Sequence, residues 1–361
     1  MTNKEWENYI LNNKVAISDT VNYVSSSASI SCFDPDHGKI YTVYHASRTN
    51  YGESRDVLAL AVIPVGQPHK TENYVVLKHG DEQNGIVYRD MIDSNIVFMG
   101  NFVRIFFISG GTQYFYIDFD IHKKTFSEIK PVLCTYDGVT RELKDTVFEE
   151  YLKSRGLTGY RFDDVYEHII NTSRIYRHGS YWYGCLTSFL CQPVIYRTKD
   201  CINYEFVGYI DKLAKYETQT AIVEDLMYTL LRGAKGDNFY VSNDLGKTFT
   251  PAGRIEFNET RPQLLEYKGK LLMAISLVDI EPNLVRNGRN NMKILLGNGQ
   301  NLSEYEEVLF IKDKYGIVYY DIINYKNVLY MIWSNADLYL DKSNHAKDLL
   351  YYSKIGELEL G

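Results

Sequence analysis

A structural unit with one plan recurs along this chain, and the recurrence limits the fold more than any other feature. Each copy has the pattern of a strand, a tight turn and a second strand rich in aromatic or aliphatic residues. Two copies share a closely matching heptad, Gly85–Met91 in one and Gly316–Ile322 in the other. The six copies begin near Ser29, Asp90, Ser173, Tyr216, Arg261 and Tyr320.

Repeats of a few tens of residues, each holding several strands, are typical of propeller blades. The sequence therefore predicts an all-β chain folded as a six-bladed β-propeller, with a β-sandwich or two stacked β domains as the alternative. We expect a single domain over 1–361, with a lead-in over 1–24 and blades over 25–361. Helical periodicity stands out in Thr140–Arg155, and Gly156 follows it, so we expect a short helical insertion near 140–156.

Composition and charge narrow the function. The net charge is −7 and no block of Lys or Arg occurs, which argues against nucleic acid as a partner. The chain has no run of 18 apolar residues, so we expect no membrane insertion. The polar N-terminus lacks the apolar core of a Sec signal, which favours a cytoplasmic or virion-associated protein over a Sec-secreted one. The 5 cysteines are scattered without metal-ligand spacing, so we expect free thiols, no metal and no cofactor.

The octet Ser242–Phe249 has the pattern of a self-capped turn between two strands. Asp244 can accept hydrogen bonds from backbone N–H groups of its own turn, and Gly246 tolerates a positive φ. The pattern S-x-D-x-G-x-T-F resembles the Asp-box of sialidase-like β-propellers, where it supports the fold rather than the chemistry. A degenerate copy occupies Thr198–Phe206, and a hairpin at Tyr114–Phe126 lies at the corresponding place of the second repeat.

In a propeller, the first strands of the blades begin around one cavity. Reading that position from the repeats predicts a cavity that is rich in arginine. Arg binds a carboxylate well because its planar fork forms two parallel hydrogen bonds. Each arginine taken alone is equally compatible with a salt bridge between blades. The residues at or near this position are Ser29 or Ser31, Arg89, Arg174, Glu217, Arg232, Arg261 and one of Tyr319 and Tyr320.

The order of these residues resembles that of exo-sialidases. In that family a Glu opens one inner strand, and an Arg that binds the substrate carboxylate follows. After them come the Asp-box, a further Arg and a Tyr on the last blade. The resemblance covers about 215–335 of this chain, and elsewhere extends only to the blade architecture. The matching residues here are Glu217, Arg232, the octet, Arg286 or Arg289, and Tyr319-Tyr320.

The resemblance implies a Tyr nucleophile whose proton passes to Glu217. Alternation along a strand lets only one of the two tyrosines face the cavity. We favour Tyr320, because the repeat aligns it with Arg89. The family's general acid is an Asp on a loop of the first blade, and this implies Glu53 or Asp56 here.

Two departures keep other functions open. The first inner strand, S-A-S-I-S-C-F, lacks the Arg that the family carries there, so Arg89 or Arg174 replaces it or the substrate is not a sialic acid. His168 and His178, together with Tyr and Arg, also fit the base, acid and carboxylate partner that β-elimination of uronates needs.

The sequence thus predicts a glycan-active propeller, first of all a sialidase-like glycoside hydrolase that removes a terminal acidic sugar. The alternatives are a non-catalytic glycan-binding propeller, such as a phage tail or surface adhesin, and a polysaccharide lyase acting on uronates. The expected partner is a glycan or polysaccharide, and assembly on a virion or cell surface is compatible with this.

Overall fold

The computed structural model describes residues 2–23, 25–48, 56–110, 112–157, 169–215, 217–233, 236–256, 261–276, 291–313, 316–335 and 349–358. Strands dominate these residues. Their helices are α1 (Asn3–Asn12), α2 (Asp145–Ser154) and the short 3₁₀ turns Pro68–Lys70 and Leu302–Glu304. Within the described part of the chain, no helix is both long and apolar enough to span a bilayer.

The chain forms two compact units that each contain three of the main sheets. Unit 1 comprises 1–79, 256–299 and 304–361, and unit 2 comprises 80–255 and 300–303. The sheets are the blades of a six-bladed β-propeller, which confirms the predicted fold class. We number the blades in chain order.

Unit 1 contains blades 1, 5 and 6, each an antiparallel four-stranded sheet. Aliphatic and aromatic residues dominate the central strands, which are buried on both faces. Blade 1 has Ser25–Asp34, Lys39–Ser47, Val57–Pro64 and Glu72–Lys78; blade 5 has Gln263–Tyr267, Lys270–Ile275, Asn291–Gly297 and Glu306–Lys312; blade 6 has Val318–Tyr325, Val328–Ser334, Leu350–Gly356 and Val15–Ala16.

Unit 2 contains blades 2, 3 and 4, and blade 3 is widened to six strands by a parallel pairing with a preceding hairpin. Blade 2 has Ile92–Phe98, Phe102–Ser109 and Gln113–Asp120, with Thr125–Phe126 and Lys130–Pro131 both paired to the third strand; blade 3 has Tyr176–His178, Tyr181–Leu186, Val194–Thr198, Asn203–Tyr209, Leu133–Tyr136 and Val139–Glu142; blade 4 has Thr218–Val223, Leu226–Leu231, Gly236–Ser242 and Thr250–Glu256. Two separate two-stranded sheets pair Glu82–Gln83 with Ile86–Val87, and Phe189–Cys191 with Ala214–Lys215.

The lead-in contributes to a blade. Helix α1 begins with a capping box, in which Glu5 N donates to the Thr2 hydroxyl and Thr2 N donates to the Glu5 carboxylate. The strand Val15–Ala16 then pairs with Leu350–Gly356. The first strand of the chain therefore covers an edge of blade 6 that would otherwise leave backbone groups unpaired.

The helical insertion is shorter than the sequence predicts. Helix α2 begins at Asp145, because Val139–Glu142 is a strand of the preceding hairpin. The turn of that hairpin, Asp137-Gly138, has positive φ at both residues, which is the geometry that an Asp-Gly turn favours. Gly156 ends the helix as predicted, with φ 71°, and its N–H donates to the carbonyl of Lys153.

The octet Ser242–Phe249 folds as the predicted turn. Oδ1 of Asp244 accepts hydrogen bonds from Lys247 N at 3.1 Å and Thr248 N at 2.9 Å, and Gly246 N donates to Ser242 Oγ at 2.8 Å. The degenerate copy has the same plan, since Asp200 Oδ1 accepts from the backbone of the residues two and three positions on.

Core packing accounts for many of the 32 tyrosines of the chain. The Tyr196 and Tyr204 rings stack in unit 2 with their centres 4.0 Å apart. Nine tyrosines are among the largest fully buried side chains: Tyr41, Tyr44, Tyr88, Tyr114, Tyr196, Tyr204, Tyr228, Tyr267 and Tyr320.

Candidate functional site

Four blades carry a charged side chain or a tyrosine at one shared position. We define the leading end of a blade as the end where its first strand begins and its second strand ends. Counted back from the turn that joins these two strands, the shared position at the leading end holds Asp93 in blade 2, Glu217 in blade 4, Arg261 in blade 5 and Tyr319 in blade 6. In blades 2 and 6 this position lies within a bulge of the first strand.

Arg89 is not part of this set, although the matching heptads align it with Tyr320. The heptad around Arg89 includes Ile86–Val87, which belongs to a separate hairpin, and the first strand of blade 2 begins only at Ile92. Arg89 is exposed, and its backbone is bonded to Ser109 at the leading end of blade 2. Asp93, with φ 45°, occupies the position that the sequence assigned to Arg89.

Glu217 and Arg232 form an ion pair at the leading end of blade 4, in which Arg232 Nη1 donates to Glu217 Oε2. The pair follows from the hairpin. Thr218 pairs with Leu231, so Glu217, just before the first strand, lies opposite Arg232, just after the second. The Glu217 side chain is 11% exposed and that of Arg232 is 13% exposed. A charge so far removed from water needs an opposite charge close by.

Gly233, which follows Arg232, is closely packed against backbone and side-chain atoms. A Cβ atom on Gly233 would lie 2.2 Å from the carbonyl oxygen of Gly236, so only glycine fits. Gly233 N donates to the buried carboxylate of Asp237 at 3.3 Å. These contacts hold the backbone that carries Arg232.

Arg174 lies half-buried just before the first strand of blade 3. The segment that precedes it is bonded to both neighbouring blades. Asn95 Nδ2 of blade 2 donates to the carbonyl oxygens of Asn171 and Ser173, both at 2.7 Å. The Ser173 hydroxyl also lies 2.8 Å from that of Thr220 in blade 4. Within unit 2, the leading ends of blades 2, 3 and 4 therefore adjoin, and Arg174 lies with them.

Arg261 and Tyr319 pair within unit 1. Arg261 is 4% exposed, and its guanidinium carbon lies 5.9 Å from the centre of the half-buried Tyr319 ring, within cation–π range. Tyr319 has φ 49° and lies in a bulge where the register shifts between Val318 and Asp321. This left-handed conformation costs a tyrosine on the order of 1–2 kcal/mol, so the surrounding contacts must impose it.

The sequence predicts that Tyr320 faces the leading end, but the structure does not place it there. It is completely buried in the apolar core of unit 1, and the Ser276 hydroxyl lies 3.5 Å from its own. The sequence argument assumed regular alternation from the matching heptads, and the bulge breaks that alternation. Tyr319 is the tyrosine that remains partly accessible.

Asp56 lies at the leading end of blade 1, next to the end of the second strand. Its Oδ2 accepts hydrogen bonds from Ser47 Oγ at 3.3 Å and from Arg48 N at 2.9 Å. The other candidate for a general acid, Glu53, lies outside the described residues. Arg286, Arg289 and His168 also lie outside them.

His178 lies at the opposite end of its blade. It pairs with Tyr181 beside the turn of the first hairpin of blade 3, and its Nε2 lies 3.3 Å from the Asp225 carboxylate, in the corresponding turn of blade 4. The strand Thr218–Val223 separates that turn from Glu217 by roughly 20 Å, at about 3.3 Å per residue. His178 therefore does not join Glu217 and Arg232.

The sequence analysis missed Asp93 and a set of buried amides two residues beyond the shared position. Asn95 and Gln263 each bond the backbone of the blade that follows in their own unit, and Gln219 donates to the carbonyl of Thr172, just before blade 3. Two of these amides were visible in the aligned repeats, as the glutamines of T-Q-T and P-Q-L. Among the described side chains, no group of three or more His, Cys, Asp or Glu is arranged to hold a metal ion.

Comparison with solved structures supports the fold. A sialidase of Trypanosoma rangeli in complex with 2,3-difluorosialic acid matches 95% of this chain with a TM-score of 0.61 and 12% sequence identity. A mutant of that sialidase that displays trans-sialidase activity matches with a TM-score of 0.62. The NanB sialidase of Streptococcus pneumoniae matches 96% of this chain with a TM-score of 0.59 and 13% identity.

These matches show a sialidase-like β-propeller fold. The chain spans 57% of the length of the Trypanosoma rangeli chains and 70% of the NanB chain. No protein-family model and no curated protein matches the sequence.

Proposed function

We propose that this chain is a sialidase-like glycoside hydrolase that removes a terminal acidic sugar from a glycan. The observation that carries the proposal is that Glu217, Arg261 and Tyr319 lie the same number of residues before the first turn of three blades. A carboxylate, a guanidinium and a phenol are the groups that hydrolysis of an acidic sugar by a tyrosine nucleophile requires. The sialidase-like fold supports this assignment by analogy.

In this proposal Arg232 and Arg261 neutralise the carboxylate of the sugar, and Arg89, Arg174 and Arg289 are the further candidates for that role. Buried guanidinium groups suit it because they bind carboxylates bidentately and are weakly hydrated.

Tyr319 is the proposed nucleophile. Its oxygen bonds to the anomeric carbon as its proton passes to a general base, for which the resemblance makes Glu217 the candidate, and the bond from that carbon to the leaving oxygen breaks. Asp56 or Glu53 protonates the leaving oxygen. Water then cleaves the tyrosyl intermediate. A neutral phenol suits this role because an anionic nucleophile would be repelled by the carboxylate of the substrate.

The test compares two neighbouring tyrosines. Umbelliferyl glycosides of sialic acid, of its deaminated analogue and of glucuronic acid are offered to the wild type and to Tyr319→Phe, Tyr320→Phe and Glu217→Gln. Because only the phenol of Tyr319 has a chemical role, Tyr319→Phe lowers kcat by at least about 10³-fold, within the range of nucleophile losses, and Tyr320→Phe retains kcat within a few fold. Tyr325→Phe, on the same strand, is the matched control.

Loss of kcat in Tyr320→Phe with normal activity in Tyr319→Phe would overturn the assignment of the nucleophile. Absence of turnover by the wild type on every acidic glycoside would overturn the hydrolase itself.

A second candidate is a non-catalytic glycan-binding propeller, such as a phage-tail or surface adhesin. It is favoured by one observation: the Glu217 carboxylate already accepts a hydrogen bond from Arg232, and an ion-paired carboxylate is a weaker base. Glycan-array binding that requires Arg232 and Arg261, without turnover, would support it. The polysaccharide-lyase alternative is weakened because His178 lies away from Glu217 and Arg232. If the protein causes no rise in absorbance near 235 nm on polyuronates, a lyase is excluded.

A further inference from the structure

The free edge of the first strand of blade 6 is held by a side chain of blade 5. Gln263 is 3% exposed, and its amide bonds both polar groups of one residue: Nε2 donates to the carbonyl oxygen of Ile322 at 3.0 Å, and Oε1 accepts from Ile322 N at 2.5 Å. Nε2 also lies 2.5 Å from the carboxylate of Asp321. The amide thus acts like the peptide group of an adjacent strand.

These bonds lie directly beside the bulge that carries Tyr319. On one side of the bulge Val318 pairs with Ser334, and within it Tyr320 is fixed by complete burial. On the other side, Asp321 and Ile322 are the residues that Gln263 bonds. With both flanks and the following residue fixed, Tyr319 is left in its left-handed conformation.

Gln263 also follows Arg261 by only two positions along the chain. One backbone segment therefore carries the guanidinium that faces the Tyr319 ring and the amide that holds the strand of Tyr319. Any slip of blade 6 along blade 5 would break the amide bonds and separate the ring from Arg261.

We propose that Gln263 is a positioning residue, whose side-chain amide fixes the bulge that holds Tyr319 against Arg261. The inference rests on the proposed function, because it gives the position of Tyr319 a role in turnover. In unit 2, Asn95 and Gln219, two residues beyond Asp93 and Glu217, both donate to carbonyls of the segment that leads into blade 3. An amide at this position therefore bonds the backbone of a neighbouring blade in three of the blades.

The experiment removes the amide without changing the volume of the side chain. Gln263→Met keeps the length of the side chain and loses its donor and acceptors. Because a nucleophile displaced by about 1 Å costs on the order of 100-fold in rate, kcat is expected to fall by about that factor. KM is expected to change less, because Arg261, which binds the substrate, is carried by blade 5 and not by the strand that moves. The matched control is Asn324→Leu, since Asn324 Nδ2 donates to Glu266 O between the same two strands, away from the bulge.

Exchanging the side chains at positions 263 and 321 tests whether kcat can be rescued. Gln263→Glu places two carboxylates together and lowers kcat, whereas Gln263→Glu combined with Asp321→Asn restores the hydrogen bond between these two side chains, but not the one to Ile322 O, and raises kcat above that of the single variant. Wild-type kcat in Gln263→Met, an equal loss in Asn324→Leu, or no recovery in the double variant would each overturn the positioning role. If Gln263→Met does not fold, the pair of swap variants decides.

A second readout does not depend on turnover. Tetranitromethane nitrates accessible tyrosines, and peptide mass spectrometry gives the extent at Tyr319. Gln263→Met is expected to raise nitration of Tyr319 several-fold over the wild type and Asn324→Leu, and unchanged nitration refutes the inference. A wild type without activity, in which Tyr319 nitration still depends on Gln263, refutes the proposed hydrolase and leaves the positioning role supported.

Discussion

Removal of the Asp244 carboxylate should destabilise the turn Ser242–Phe249 in a pH-dependent way. The carboxylate accepts hydrogen bonds from the hydroxyls of Ser242 at 2.8 Å and Thr248 at 2.7 Å, and from the backbone of Lys247 and Thr248. A hydrogen bond to a charged group contributes roughly 1.5–3 kcal/mol when water is excluded. Asp244 is half-exposed and water replaces part of each bond, so we expect Asp244→Ala to cost about 1–2 kcal/mol.

The sign of the pH dependence follows from the pKa of Asp244. Partial burial raises this pKa, but hydrogen bonds from Thr248, Ser242 and Lys247 outweigh burial and hold it below its ordinary value. A carboxyl whose folded pKa is depressed contributes stability above its unfolded pKa of about 3.9, and this stability is lost as the pH falls through the folded pKa. The difference between the wild type and Asp244→Ala should therefore be full at pH 7 and shrink below about pH 4.

Urea unfolding at several pH values measures the difference, and hydrogen exchange of the Lys247 and Thr248 amides locates it. Asn243→Ala, at an exposed neighbouring position, is the matched control. A difference below about 0.3 kcal/mol at pH 7, or an equal difference at pH 7 and pH 3, would refute the argument that the charged carboxylate holds the turn.

Two further predictions concern buried groups of the chain. Gly208→Ala should destabilise by about 1–3 kcal/mol, because its Cβ would lie 2.3 Å from the carbonyl oxygen of Gly246, and an unchanged melting temperature would contradict this close packing. Cys32 should be the first thiol to react with Ellman's reagent at pH 8, because it alone among the five cysteines is not fully buried, and simultaneous labelling of all five in the folded protein would contradict the burial. Burial raises the pKa of the other four thiols, to about 12 for two of them, so few of these are thiolates at pH 8; the four are Cys134, Cys185, Cys191 and Cys201.

The sequence by itself determined the features that depend on local pattern. Alternating and aromatic strands separated by tight turns recur along the chain, and six such units are enough to specify six blades. The Ser242–Phe249 turn and the helix stop at Gly156 were predictable for the same reason, since each is built from residues that bond their own neighbours. The proximity of Glu217 to Arg232 was also within reach, because it requires only the position of a two-residue hairpin turn.

Only the tertiary structure decided which residues occupy the shared position. The matching heptads assigned Arg89 and Tyr320 to it, whereas strand pairing assigns Asp93 and Tyr319. For Arg89 the physical reason is that its heptad forms a separate hairpin ahead of the strand, and for Tyr320 it is a bulge in which Tyr319 takes a positive φ and changes the facing of the residues around it. Neither Asp93 nor Tyr319 is a glycine, so the sequence gives no sign of a positive φ at these positions. At Tyr319, bonds from another blade, those of Gln263, impose the conformation.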